Sequence, residues 1–388
     1  MTETILFAGG GTGGHVFPLL AVADALRVIA PEVSAVFVGT ARGIETKVVP
    51  ERGYRLELVE VVPIRGGGIA GALRGVARAA GAIPEARALL RRIAPRAVFS
   101  MGGYAAGPVS VAARMAGIPL ALMEPNGSIG LANRLVARLV QRAYTAYPEA
   151  ERHFAAGTVL RTGVPIRSGF APQRYHRGSA LRVLVLGGSQ GAQSLNDAVP
   201  RALARSSVPT RVVHQCGAGR DAAVRALYAE VGSDLPATVV PFIDDVAAAL
   251  TEADLVIGRA GASAVAEICA VGRPSLLVPY PFAGDHQRHN AESIARAGAA
   301  VCVLAADATV ARLVEEIERL ATDPAVLPRM AAAACALGRP DAARVIARDL
   351  VVIAGISGET ARGSGAPGGA RGRGPGEDER AARAGGGL

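Results

Sequence analysis

The chain has 388 residues, a formal net charge of +9 and a half-hydrophobic composition with few aromatics and no Trp. It is too long for one typical domain and suits two of about 150–180 residues, each able to bury a core; the composition excludes a fibrous or wholly disordered chain. Nearly all the positive charge is Arg, because Lys47 is the only lysine and lies in ETKVV, so a Gly-Lys-Ser/Thr phosphate loop is excluded.

The basic balance either decorates solvated faces or attracts an anionic partner such as phosphate or a membrane surface. Its arginines are scattered and lack interleaved aromatics, which argues against a nucleic-acid partner. Cys216, Cys269, Cys302 and Cys335 form no C-x-x-C pair, so neither a zinc site nor a disulfide framework is expected. The N-terminus MTETILFAGGG has no basic n-region, and its apolar run is too short for a signal peptide. The uncharged stretch Val98–Ala113 is interrupted by Gly and Pro and falls short of a membrane span. A soluble protein, or one lying on a membrane, is expected.

Along the chain, the apolar run Thr4–Ala8 ends in glycines and leads into GGGTGGHVFPLLAVADAL, whose apolar spacing from Val16 onward is helical. This pattern predicts strand, Gly-rich loop and helix. Ser34–Gly39 reads as the next strand, followed by the apolar runs LELVEVV and AVFSMGG with an Ala/Arg-rich helical stretch between them. Ile118–Glu124 and Ala143–Pro148 read as further strands. The pattern restarts at Leu181–Val199 and continues through TRVVHQCG, ATVVPFI, ADLVIGRAGASAVAEICAVG and PSLLVPYP. Strands alternating with helices imply a parallel sheet covered on both faces. The same unit opens both halves, so the expected fold class is α/β, with two Rossmann-like doubly wound domains facing a cleft and a linker around Thr162–Gly178. From Ser357 the composition collapses to Gly, Ala, Arg and Pro, and residues 357–388 are expected to be a disordered tail.

Four stretches carry candidate chemistry. Gly9, Gly11 and Gly14 satisfy G-x-G-x-x-G, but a dinucleotide enzyme wants an acid at the end of the second strand, and FVGTARG has none there. The glycines still allow backbone N–H groups to approach an oxygen-rich ligand at a helix N-terminus. His15, in the first turn of that helix, is a candidate general base, the bland alternative being a His that simply packs. Gly187-Gly188-Ser189-Gln190-Gly191 fits the nucleophile elbow of an α/β-hydrolase, which would draft Asp254 or Asp285 with His286 or His289. Because this loop opens a second domain and duplicates the first, the favoured role is binding of a donor diphosphate by Ser189 and nearby N–H groups. Arg259 follows LVIG, and Glu267 lies eight residues on; an Arg there suits a diphosphate or uracil edge and a Glu could accept both ribose hydroxyls, although either alone could be a surface ion pair. Pro279–Ala291, PYPFAGDHQRHNA, is either a reader of sugar hydroxyls or a polar turn.

Together these stretches resemble the GT-B family of N-acetylglucosaminyltransferases that make lipid II from lipid I in peptidoglycan synthesis. The resemblance rests on GGGTGGHVFP, MGGYAAGP, MEPNGSIGLANR, TGVPIR, GGSQGAQSLN, FIDDVAAAL, GRAGASAVAEI and DHQRHNA, in the family's order and spanning residues 4–350. It implies an N-terminal acceptor and membrane-side domain (1–164), completed by a C-terminal helix about 341–356, and a UDP-GlcNAc-binding domain (165–340). It further implies that Thr12, Gly13 and Gly14 line the phosphates and His15 is the base. Asn126 and Arg167 would contact the donor or shape the cleft, Ser189 would meet its diphosphate and Ile243 the uracil. Arg259 would lie near the nucleotide, Glu267 would take the ribose and Gln287 the GlcNAc hydroxyls. Pro125 stands where the family usually has Gln, and Val164 where Asn is common.

The implied reaction is inverting transfer of GlcNAc from UDP-GlcNAc to the 4-hydroxyl of lipid I, without cofactor or metal; no D-x-D pair precedes the tail. Other GT-B glycolipid transferases and UDP-GlcNAc 2-epimerases share the two-domain plan and remain the alternatives. Ile69, Leu73 and Val76 line one helical face flanked by Arg74 and Arg78, which suits a helix lying on anionic lipid as well as an ordinary amphipathic core helix. With the resemblance, this patch implies a peripheral protein at the cytoplasmic face of the bacterial inner membrane.

Overall fold

The computed structural model describes residues 3–60, 81–103, 105–188, 191–232, 235–281 and 285–356. The expected membrane patch (Ile69, Leu73, Arg74, Val76, Arg78), Ser189 and the tail 357–388 lie outside the described residues.

The described strands form two wholly parallel sheets. The first contains β1 (Thr4–Gly9), β2 (Ser34–Gly39), β3 (Arg55–Leu58), β4 (Ala97–Gly102), β5 (Leu120–Glu124), β6 (Arg142–Thr145) and β7 (Val159–Arg161), in the order β3-β2-β1-β4-β5-β6-β7. The second contains β8 (Leu181–Leu186), β9 (Thr210–Gln215), β10 (Ala237–Val240), β11 (Leu255–Gly258), β12 (Ser275–Leu277) and β13 (Ala300–Cys302), in the order β10-β9-β8-β11-β12-β13. Each sheet reverses its direction of growth beside its opening strand, between β1 and β4 and between β8 and β11. Loops leaving the C-terminal ends of strands at such a switch point splay apart and leave a crevice for ligands. Residues 162–180, which join the sheets, contain neither helix nor strand.

The strands read as continuous apolar runs because both faces are covered. In β1, Ile5 and Phe7 enter one core with Phe37 and Phe99, whereas Leu6 and Ala8 enter another with Leu89, Leu90 and Val109. In β8, Leu181, Val183 and Val185 pack on one side and Leu184 and Leu186 on the other. Phe7 stacks on Phe37 at 5.2 Å and meets Phe99 edge-on at 5.7 Å, tying the three central strands together. The run LELVEVV continues as strand only to Leu58. The three-residue strands β7 and β13 were not anticipated, because so few residues show no period.

Helix Ala342–Ile353, the last described element of the chain, packs into the core of the first sheet. Ile346, Ala347 and Leu350 sit beside Leu19, Val22 and Leu26 of helix Gly13–Ile29. Asp349 anchors it on β6, accepting Arg142 Nε at 2.7 Å and the Tyr144 hydroxyl at 2.9 Å. Leu350 is fully buried, whereas Val352 is 71% exposed. Leu350→Ala is therefore expected to destabilise the fold by about 2–5 kcal/mol, and Val352→Ala by less than about 0.5 kcal/mol, in denaturant unfolding. Equal effects would show that this helix adds nothing to the first core.

Candidate active site

The first switch point presents the turn Gly10–Thr12 after β1 and Gly102–Gly103 after β4. Thr12 ends the turn with extended backbone, and its carbonyl accepts His15 N–H at 3.1 Å and Val16 N–H at 3.2 Å, starting helix Gly13–Ile29. Gly13 and Gly14 thus form the first turn, where N–H groups have no intrahelical partner and a positive dipole points outward. His15 is half-buried, with Nδ1 3.5 Å from the Thr12 hydroxyl. Burial lowers its pKa, and His286 acts in the same direction, against a hydrogen bond to the Gly10 carbonyl and the charge of Glu45. The imidazole is therefore held neutral near pH 7, as a proton acceptor requires.

The second switch point collects most of the remaining candidates. Glu267, on helix Ala262–Val271, pairs with Arg167 at 3.5 Å. Burial outweighs the arginine and raises the Glu267 carboxyl to about 7. Arg259 is committed to structure: Nη1 donates to the carbonyls of Val278 (2.9 Å) and Pro279 (3.3 Å), and Nη2 to the Ser194 hydroxyl (2.8 Å). Its guanidinium also lies over the Tyr280 ring at 5.5 Å. Gln287 Oε1 accepts Ala260 N–H (3.2 Å) and Tyr280 N–H (3.0 Å), which leaves its NH2 group to meet a ligand. Ile243 is partly buried against the cluster containing Leu250 and Ile268.

A polar bridge joins the two sets. Asn126 follows β5, and the buried Glu124 holds its backbone N–H (3.0 Å) and Nδ2 (3.1 Å) together with Gly130 N–H (3.1 Å) and Asn133 Nδ2 (2.8 Å). Asn290, on helix His286–Arg296 of the second half, is fully buried. Its Oδ1 accepts Gly127 N–H at 2.9 Å, and its Nδ2 donates to Asn126 Oδ1 (3.2 Å) and the Ala260 carbonyl (3.1 Å). His286 Nδ1 lies 2.9 Å from the Ser128 carbonyl and so must donate to it. Around this bridge, Ala146 and Tyr147 pack with Val265, Ala291 and Ile294.

One buried amide therefore aligns the loop carrying Asn126 with the loop carrying Arg259 and the helix carrying Gln287. Asn290→Ala strands the buried Gly127 N–H and Ala260 carbonyl, at roughly 1–3 kcal/mol each before water enters, and frees the partly buried Asn126 Oδ1. We expect a thermal midpoint several degrees lower and turnover slowed about 10-fold. An unchanged midpoint and rate would mean that the bridge contributes nothing net.

Glu45, Glu124 and Asn290 were not singled out from the sequence. The signal for Glu45 was an acid shortly after the second strand rather than at its end; Glu124 and Asn290 lay inside the quoted stretches MEPNGSIGLANR and DHQRHNA.

Residues 5–145 match the glycosyltransferase family 28 N-terminal domain, and residues 182–346 its C-terminal domain. The chain belongs to glycosyltransferase family 28. It is 58% identical, over 90% of its length and 88% of the relative's, to the UDP-N-acetylglucosamine–N-acetylmuramyl-(pentapeptide) pyrophosphoryl-undecaprenol N-acetylglucosamine transferase of Sorangium cellulosum. Its structure resembles that of MurG from Acinetobacter baumannii, with a TM-score of 0.76, 31% identity, and 90% of this chain and 99% of that one covered. A UDP-GlcNAc 2-epimerase from Neisseria meningitidis shares the fold at 14% identity and a TM-score of 0.64, covering 91% of this chain and 100% of that one.

This family 28 chain is thus a GT-B glycosyltransferase. The hydrolase alternative loses Asp254 as its acid. Asp254 precedes β11, at the opposite strand end from the loop after β8, and is fully buried with its carboxylate spent on Arg182 at 2.7–3.0 Å.

Proposed function

We propose that this glycosyltransferase moves N-acetylglucosamine from UDP-GlcNAc onto the 4-hydroxyl of undecaprenyl-diphospho-N-acetylmuramoyl-peptide, lipid I, giving lipid II at the cytoplasmic face of the bacterial inner membrane. The observation that carries this reading is the meeting of two unlike loop sets through Asn126 and Asn290: a neutral, half-buried His15 on one side, and Glu267 with Gln287 on the other. The 58% identity to a protein named for this transfer supports the substrates.

In this reading His15 takes the proton of the acceptor hydroxyl as its oxygen attacks the anomeric carbon from the face opposite UDP. The C–O bond to the diphosphate breaks, the anomeric configuration inverts and UDP leaves. Charge growing on the leaving diphosphate is met by preorganised N–H groups and by the Ser189 hydroxyl. Thr12, Gly13 and Gly14 offer their first-turn N–H groups to phosphate, Asn126 and Arg167 shape the donor wall, and Ile243 packs at the uracil. Glu267 accepts the ribose hydroxyls. Arg259 acts by holding the β12 exit loop in place.

Among the described residues, no helix is long and apolar enough to cross a membrane. Peripheral attachment through Ile69, Leu73 and Val76, flanked by Arg74 and Arg78, is the proposed route to a lipid-linked acceptor. Co-sedimentation of Leu73→Glu with anionic vesicles tests it, unchanged binding counting against the patch.

The test of the reaction is to incubate the protein with labelled UDP-GlcNAc and a lipid I analogue, following UDP release and label on the lipid. Acceptor-dependent release with labelled lipid supports the reading. Donor turnover without transfer would point to an epimerase or another acceptor.

A further inference from the structure

A dinucleotide-binding fold places an acid at the end of its second strand; in this chain the acid lies a few residues further on and turns inward. Glu45 opens helix Glu45–Glu51 and is 1% exposed. Its two oxygens divide the partners: Oε2 accepts Gly11 N–H at 2.9 Å, and Oε1 accepts the N–H (2.9 Å) and hydroxyl (3.1 Å) of Thr40. Gly10, Gly39 and Gly43 close around it so tightly that a Cβ on any of them would collide with its side chain. Glycines from two loops thus stand where one carboxylate takes the space.

A buried carboxylate is costly unless hydrogen bonds satisfy it, and these donors do so. Gly11 has φ +90°, open to glycine but rare for other residues. Its N–H, the kind a glycine loop offers to a phosphate, is already consumed inside the protein. With its carboxylate enclosed, Glu45 is also out of reach of a ribose.

We infer that Glu45 is a resident anion of the first glycine-rich loop and a positioning residue for His15, fixing the Gly10–Thr12 turn that starts the helix carrying it. The inference rests on the transferase reading above, in which His15 takes the acceptor's proton. It leaves the N–H groups of Thr12, Gly13 and Gly14 for a bound anion. The groups facing His15 are Glu45, His286 and the Gly10 carbonyl. Glu45 opposes the lowering of the His15 pKa, so neutralising it moves the acid limb of kcat/KM to lower pH.

The experiment compares wild type, Glu45→Gln, Thr40→Val and His15→Ala in transfer to a lipid I analogue, with donor titration and thermal unfolding alongside. Glu45→Gln keeps the shape but sets an NH2 group against one of its N–H partners. We expect kcat about 10-fold lower, donor Kd within about twofold, and an acid limb shifted down. Thr40→Val loses only the hydroxyl contact; an expected fall of about two- to fivefold in kcat carries the test if Glu45→Gln does not fold. Wild-type kcat and pH profile in Glu45→Gln, or a loss of donor affinity matching the loss of kcat, overturns the inference. So does an unchanged kcat in Thr40→Val should the first variant not fold. Failure of the underlying reading shows separately, as no transfer by wild type or full activity in His15→Ala, and removes this inference with it.

Discussion

His15→Ala is expected to lower kcat at least about 100-fold while leaving donor affinity within about twofold. The imidazole sits on the first half, whereas Arg167, Glu267 and Gln287 belong to the second, so removing it takes away a proton acceptor rather than a donor contact. Burial keeps His15 below the usual histidine value. In its proposed role the base is then neutral at pH 7, and kcat/KM falls only on the acid side. A fully buried histidine elsewhere, in the second half, sets the working range. His214 lies between the Tyr228 hydroxyl (3.0 Å) and Asn196 Oδ1 (3.1 Å), and burial pushes it down to about 4. A histidine depressed in the folded state favours the fold above its unfolded pKa, and that stability is lost as pH falls from about 6.5 towards 4. Activity should therefore be followed only over pH values where circular dichroism reports an intact fold. Wild-type turnover in a folded His15→Ala protein would remove this residue from the mechanism.

Glu267→Gln is expected to raise the donor KM about 100-fold with a smaller change in kcat. In the role proposed for Glu267, two charge-assisted hydrogen bonds to the ribose hydroxyls are worth roughly 1.5–3 kcal/mol each, and an amide replaces at most part of that. The wild-type carboxyl titrates at about 7 because burial disfavours its charge more than Arg167 favours it. A carboxyl raised in this way is protonated in the folded state below that pH, so its contribution to stability falls as pH rises from about 4.5 through 7. In the proposed role the ribose needs the ionised form, so donor binding moves the other way: the donor KM should improve as pH rises through about 7, and this dependence should vanish in Glu267→Gln. A pH-independent donor KM in wild type would separate Glu267 from the ribose.

The doubly wound architecture was legible because it repeats: an apolar run, a glycine turn and a helical period occur at Thr4 and again at Leu181. Buried parallel strands must be apolar on both faces, so their sequences announce themselves. The candidate residues were legible as types, because a His, an Arg, a Glu and a Gln stood in or beside the quoted motifs in the family's order. Their partners were not. Arg259 and Gln287 each looked free to read a ligand, yet Arg259 is held by the carbonyls of Val278 and Pro279, and the Gln287 carbonyl by two backbone N–H groups.

The sequence by itself determined the two α/β halves, the loops at their switch points and the family, because local periodicity and short motifs survive in one dimension. Only the tertiary structure decided that Glu45 closes the first glycine loop and that Asn290 reaches Asn126 from the other half. Each of these joins residues distant in the chain through hydrogen bonds or burial, and such contacts leave no period in the sequence. The same holds for pKa: a carboxyl at residue 267 is an ordinary acid in the sequence, and its shift to about 7 comes from the apolar packing that surrounds it.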